Sequence, residues 1–232
     1  MKRLMPIFFL ITTLSTAALA QDSAASQKPA TTDSGYGHGD YGGAEVFVSG
    51  FGLLPRKANG NAISETGTQA GGASAGYRFH LNASSALEGR YGFSRNSQKY
   101  TISGAVSSIP VYLSEISGSY VYNFTSLQHI QPFLEGGGGL ILFSPSNYGG
   151  GATATAAAVD PVYGGSSVGL NKQAKGMFVY GAGADVPVSS HLYFRAEFRG
   201  LGYKTPDFGM APYQTNAFSF AYEPSVGVAF RF

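Results

Sequence analysis

Beyond residue 43, apolar and polar positions alternate with period two in segments of about ten residues, set between turn-rich stretches. That rhythm predicts eight strands, over 44–54, 69–81, 85–95, 111–124, 131–143, 175–188, 192–201 and 218–232. In seven of them one face is apolar and the other small or charged. The third sets Leu87, Tyr91 and Phe93 against Glu88, Arg90, Gly92 and Ser94. The fourth sets Ile116, Tyr120, Tyr122 and Phe124 against Glu115, Ser117, Ser119 and Asn123. The last alternates Tyr222, Pro224, Val226, Val228, Phe230 and Phe232 with Glu223, Ser225, Gly227, Ala229 and Arg231. The first strand is ambiguous, with Phe47, Phe51 and Leu53 on one face and Val46 and Val48 on the other, and its facing stays open.

The connections alternate in length: 82–85, 125–131 and 187–191 are short, whereas 55–68, 96–110, 144–174 and 202–217 are long. Tight turns at one end and extended loops at the other are the pattern of a barrel with periplasmic turns and extracellular loops. A soluble sandwich would instead cover its outer faces with many Lys, Glu and Asp. Charged residues make up only 12 % of this chain, about half the usual share. The expected fold is all-β, an eight-stranded antiparallel transmembrane β-barrel, with lipid outside and a polar interior.

The N-terminus agrees with export. Residues 1–20 place Lys2 and Arg3 before a short apolar run and end on Ala18-Leu19-Ala20, a signal peptide with its small-x-small cleavage site. Residues 21–43, rich in Ser, Thr, Gly and Ala, read as a flexible periplasmic leader, and 44–232 as the barrel. Losing Lys2 and Arg3 takes the 15 basic residues to 13, equal to the 13 acidic ones. A formally neutral chain offers no basic field for nucleic acid. With no cysteine, disulfide and thiol chemistry are both excluded.

The polar parity collects Arg78, Glu88, Arg90, Glu115, Glu135, Arg195, Glu197, Arg199, Glu223 and Arg231, five of each sign, with Asp185 nearby. An eight-stranded barrel is too narrow for an open pore and is filled by side chains. Charges inside it must pair, since an isolated buried ion costs several kcal/mol, and arginine's planar fork suits bidentate pairing with carboxylates. These ten residues are therefore expected to form an interior salt-bridge network. Glu115 with Glu135 as a catalytic acid and base is the competing reading, but pairing explains every member of the set.

Other candidates carry less. His38 and Asp40 in a glycine-rich segment fall short of the roughly four ligands of a closed metal site, so no metal is expected. His80, His129 and His191 fall at the short turns and match no reaction. The run 135–140, Glu135 followed by four glycines and Leu140, lacks the Gly-Lys-Ser/Thr ending of a phosphate loop, and no cofactor is expected. The loop 144–174 is low in complexity, with Tyr148 and Tyr163 as possible contacts for an extracellular ligand.

The fifth strand, "QPFLEGGGGL", the sixth and seventh, "FVYGAGADVPVSSHLYFRAEFR", and the ending "PSVGVAFRF" closely resemble the small outer-membrane β-barrel domains of the OmpA and OmpX type. The resemblance runs from about Glu45 to Phe232. It implies a barrel in the outer membrane of a Gram-negative-type bacterium, in contact with outer-membrane lipid. It also implies handling by periplasmic chaperones and insertion by the barrel-assembly machinery, which reads a terminal aromatic and the alternating positions before it. Val226, Val228, Phe230 and Phe232 fit that assembly signal. Unlike OmpA, this chain ends with its barrel, so no peptidoglycan-holding domain is expected. The expected function is a non-enzymatic, monomeric barrel serving envelope structure and displaying its loops for surface interaction or adhesion. The alternatives are a narrow gated ion or small-solute channel and, less well supported, a lipid-active barrel enzyme.

Overall fold

In the computed structural model, residues 43–103, 105–125, 127, 129–146 and 170–232 are described. The signal peptide, nearly all of the leader, His38, Asp40, Tyr148 and Tyr163 lie outside them. Ten strands form: β1 (Ala44–Pro55), β2 (Ala58–Gly60), β3 (Ile63–Gly67), β4 (Ala70–His80), β5 (Ser85–Ile102), β6 (Ala105–Asn123), β7 (Gln131–Pro145), β8 (Gln173–Pro187), β9 (Leu192–Lys204) and β10 (Phe218–Arg231). Eight of them close antiparallel into a barrel in the order β1-β4-β5-β6-β7-β8-β9-β10, and β10 returns to β1. The seam extends to the end of the chain, where Ala44 and Phe232 exchange backbone hydrogen bonds at 3.2 and 2.9 Å.

Period two places the apolar faces outward. Leu87, Tyr91, Phe93, Ile116, Tyr120 and Tyr122 are all exposed, as are their counterparts on the other strands. Val46 and Val48 join this outer face, so β1 turns Phe47, Phe51 and Leu53 into the lumen. The facing left open by sequence is thus the reverse of the usual aromatic-outward parity. Room for the inward rings comes from glycines opposite them. A Cβ at Gly76 would lie 2.3 Å from the Phe47 ring, and one at Gly183 2.5 Å from the Phe133 ring.

Two of the expected long loops are largely strand. Residues 96–110 continue β5 and β6 in unbroken register from Asn96↔Val111 to Ile102↔Ala105. Residues 55–68 contain the β2–β3 hairpin, whose β3 pairs with the top of β5. Its turn residues Asn61 and Ala62 both have positive φ, 52° and 61°, as tight two-residue hairpins require. Alternation is hard to see here because the outward positions lie above the apolar band, where contrast between the faces fades.

The interior is divided by height. Toward the short turns it is charged. Toward the loops it is apolar, which corrects the expectation of a polar lumen throughout. Phe51, Leu53, Leu113, Ile141, Phe143, Val179 and Leu201 pack there as one buried cluster. The cause is the segment 205–217, which folds into the mouth and buries Phe208, Met210 and Tyr213. Tyr213 stacks on Tyr100 with ring centroids 4.5 Å apart, and its hydroxyl lies 2.9 Å from that of Ser107. The Tyr100 hydroxyl donates to the Pro206 carbonyl at 2.7 Å, and Gln173 binds Asp207. Inward side chains this far up meet a hydrophobic cap rather than other charges.

Candidate functional site

Below the cap, strand register sets opposite charges side by side. Arg78 lies directly across from both Glu45 and Glu88, Asp185 across from Arg195, Glu223 across from Arg199, and Glu45 across from Arg231. Directly opposed pairs of this kind are the unit of side-chain interaction in an antiparallel sheet. All ten sequence-nominated residues point into the lumen. Nine are buried, and Arg231 is partly exposed at the rim beside the turns.

From that rim upward, Arg231 bonds Glu45 at 3.0 Å, and Glu45 also meets His80 at 3.4 Å and Arg195. Arg78 reaches Glu88 at 2.6 Å, while Arg195 takes Asp185 through Nε and Nη2, both at 2.7 Å. Arg90 joins Glu88 and Glu197, each at 2.7 Å. At the top, Arg199 alone faces Glu115 at 2.9 Å, Glu223 at 2.9 Å and Glu135 at 3.1 Å, and Glu197 approaches to 3.7 Å. Its remaining nitrogen donates to the Ser117 hydroxyl at 3.2 Å.

Three participants were missed in the sequence. Glu45 is fully buried and meets Arg78, Arg195 and Arg231. Phe47 and Phe133 slot their rings between guanidiniums: Arg90 and Arg195 lie 4.8 and 4.9 Å from the Phe47 centroid, Arg78 and Arg195 4.4 and 5.3 Å from that of Phe133. Such rings are the expected partners of desolvated guanidiniums. The available signal was parity, since Phe47 shares a face with Glu45 and Phe133 with Glu135. Adding Glu45 and Asp185 gives seven carboxyl groups facing five guanidiniums, two acids beyond balance.

Glu115 and Glu135 do not form an isolated acid and base pair, since both are tied to Arg199 beneath the apolar cap. A void of about 10 Å³ at this level, lined by Gly92, Glu115, Glu223, Phe51 and Leu113 among others, has room for a single water. Of the histidines at the turns, His80 contacts Glu45, and His191 bonds Ser190 at 2.8 Å and stacks on Phe230. Among the described residues no group of three or more His, Asp or Glu is placed to hold a metal ion. The residues nominated as an assembly signal, Val226, Val228, Phe230 and Phe232, all lie exposed on the outer face.

Comparison with known proteins places this architecture. The profile of the outer membrane protein beta-barrel domain matches residues 7–232. Among solved structures, the outer membrane protein OprG of Pseudomonas aeruginosa aligns with a TM-score of 0.57 at 11 % identity, covering 84 % of this chain and 98 % of its own. Neisserial surface protein A aligns with a TM-score of 0.54 at 17 % identity, covering 82 % and 97 %. A search of curated protein sequences gave no match.

Proposed function

Because the chain belongs to the outer membrane protein β-barrel family and resides in the outer membrane, we propose that it serves there as a closed, non-enzymatic barrel that contributes to envelope structure and presents its loops outside the cell. The short turns then face the periplasm and the long connections the exterior. The carrying observation is a lumen occupied along its height, by ion pairs below and by the apolar cap of segment 205–217 above. An ion crossing it would have to displace Arg199 from three carboxyl groups and then pass the packed cluster that includes Phe143, Phe208, Leu201 and Tyr213. The same geometry argues against the channel reading. It also argues against catalysis, since the carboxyl groups that might serve as acid or base are committed to guanidiniums and shielded from substrate.

Planar-bilayer recording tests the reading. Purified barrel should insert without discrete conductance steps. Reproducible steps whose size changes in Arg90→Ser or Glu135→Gln would establish a channel instead. A hydrolase screen on refolded protein, with activity lost in Glu135→Gln, would establish an enzyme.

A further inference from the structure

The twelve Arg and Lys residues among those described divide cleanly by place. Five arginines belong to the lumen network, and the other seven, from Arg56 to Lys204, all lie at the extracellular end. The acids do not follow them. Apart from the seven carboxyl groups of the lumen, the described residues include only Glu65, which is buried, and Asp207. Among the described residues, the end where the wall leaves the membrane thus carries more cations than acids.

On one side those cations crown a built surface. On β9, Gly200 and Gly202 face outward, and the Tyr180 and Phe178 rings of β8 lie flat over them: a Cβ at Gly200 would sit 2.3 Å from Tyr180 and one at Gly202 2.0 Å from Phe178. On the far side of the same glycines are Tyr222 and Phe220 of β10. The Phe178 and Phe220 rings meet edge to face at 5.9 Å, and Phe198 stacks on Tyr222 at 5.6 Å. The result is a continuous aromatic shelf across three strands, with no side chain rising from its centre.

Two cations bracket the upper edge of the shelf. Lys204 extends β9 two positions beyond Gly202 and pairs with Phe218. The Arg56 amide donates to the Phe220 carbonyl at 2.7 Å, and its guanidinium lies over the Tyr222 ring, 6.0 Å from the centroid. Both side chains are exposed, and neither has an ion-pair partner among the described residues.

We propose that this face, Arg56 and Lys204 above the Phe178–Tyr180–Phe220–Tyr222 shelf, is a binding site for a phosphate-bearing lipid of the outer leaflet. The phosphate lies against the two cations, and an acyl chain runs down over the rings. Charge complementarity fixes the headgroup and the apolar shelf fixes the tail. A soluble polyanion would use the cations but leave the shelf without a role.

The test reconstitutes the full barrel in phosphatidylcholine nanodiscs doped with diphosphoryl lipid A and counts lipid retained after mild extraction by native mass spectrometry. Wild-type protein is expected to retain the phosphorylated lipid over phosphatidylcholine. The double variant Arg56→Ser with Lys204→Ser should lose about thirtyfold in retention, the effect of two cations near a charged bilayer surface. Lys99→Ser with Lys172→Ser removes the same charge, Lys99 on β5, which pairs with none of the shelf strands, and Lys172 ahead of the start of β8, and should change retention less than about threefold. Each variant is first shown folded by its heat-modifiable migration. Equal losses in the two pairs, or none in the first, overturn the site. Tripolyphosphate binding without lipid, in a manner dependent on Arg56 and Lys204, and displacing the lipid overturns the lipid as occupant.

Discussion

Single side chains carry unequal weight. Among the described residues Arg199 is the only guanidinium within 3.1 Å of Glu115, Glu135 or Glu223, so removing it strands three buried carboxyl groups at once. Arg199→Met should destabilise the barrel by about 3–5 kcal/mol, read as a shift in the urea midpoint of folding into lipid vesicles, with Lys172→Met as an exposed control that changes little. Glu65 presents the opposite case. It lies on β3 above the apolar band, buried beside Tyr100 and without a cationic partner among the described residues, and burial pushes its carboxyl from 4.5 up to about 8. The folded cap therefore holds a proton that the unfolded segment releases. Stability from this group is complete below pH 4.5 and drains away as pH rises through about 8. Amide exchange of the β2–β3 hairpin, corrected for intrinsic rates, should quicken between about pH 5 and about pH 9, and Glu65→Gln should flatten that dependence. An unchanged pH profile in the variant would show that Glu65 is not the cause.

At the level of strands, alternation was legible wherever one face met the apolar exterior and the other met charge. β5 below Arg95, β6 below Tyr112 and all of β10 read correctly from parity because Leu, Tyr and Phe on one side contrasted with Glu, Arg and Ser on the other. The signal failed in two physical situations. In β1 the lumen takes phenylalanine, since Phe47 packs against Arg90 and Arg195, so both faces are apolar and the place of Glu45 stayed hidden. In the upper parts of β5 and β6 the outer face is no longer apolar, so Asn96, Gln98 and Tyr100 turn inward beside polar neighbours and the segment resembles a loop. The inward turn of 205–217 rests on contacts across more than 100 residues, such as Tyr100 with Pro206, which no local pattern reveals. For the seam, deleting Phe232 removes both its backbone pairing with Ala44 and the terminal outward aromatic. Insertion in cells should fall several-fold while refolding in detergent changes little. Equal loss in both settings would make Phe232 a stability element rather than an assembly signal.

For the whole molecule, the proposed account is a barrel closed by its own side chains. Ion pairs occupy the periplasmic half, an apolar cap occupies the extracellular half, and the loops are left as the surface available to partners. Such a closure lets the wall present cations to the exterior without offering a path through it. The absence of cysteine from the chain makes solvent access to the lumen directly measurable, because single-cysteine variants report without background. Ser119 and Ser225 face the lumen and are buried, whereas Ser190 lies exposed in a short turn. Each is changed singly to cysteine, and the folded proteins in lipid are treated with a small charged thiol reagent. The account predicts rapid labelling at position 190 and labelling at 119 and 225 only after denaturation. Comparable rates at all three in the folded barrel would mean an open, water-filled lumen and would contradict it.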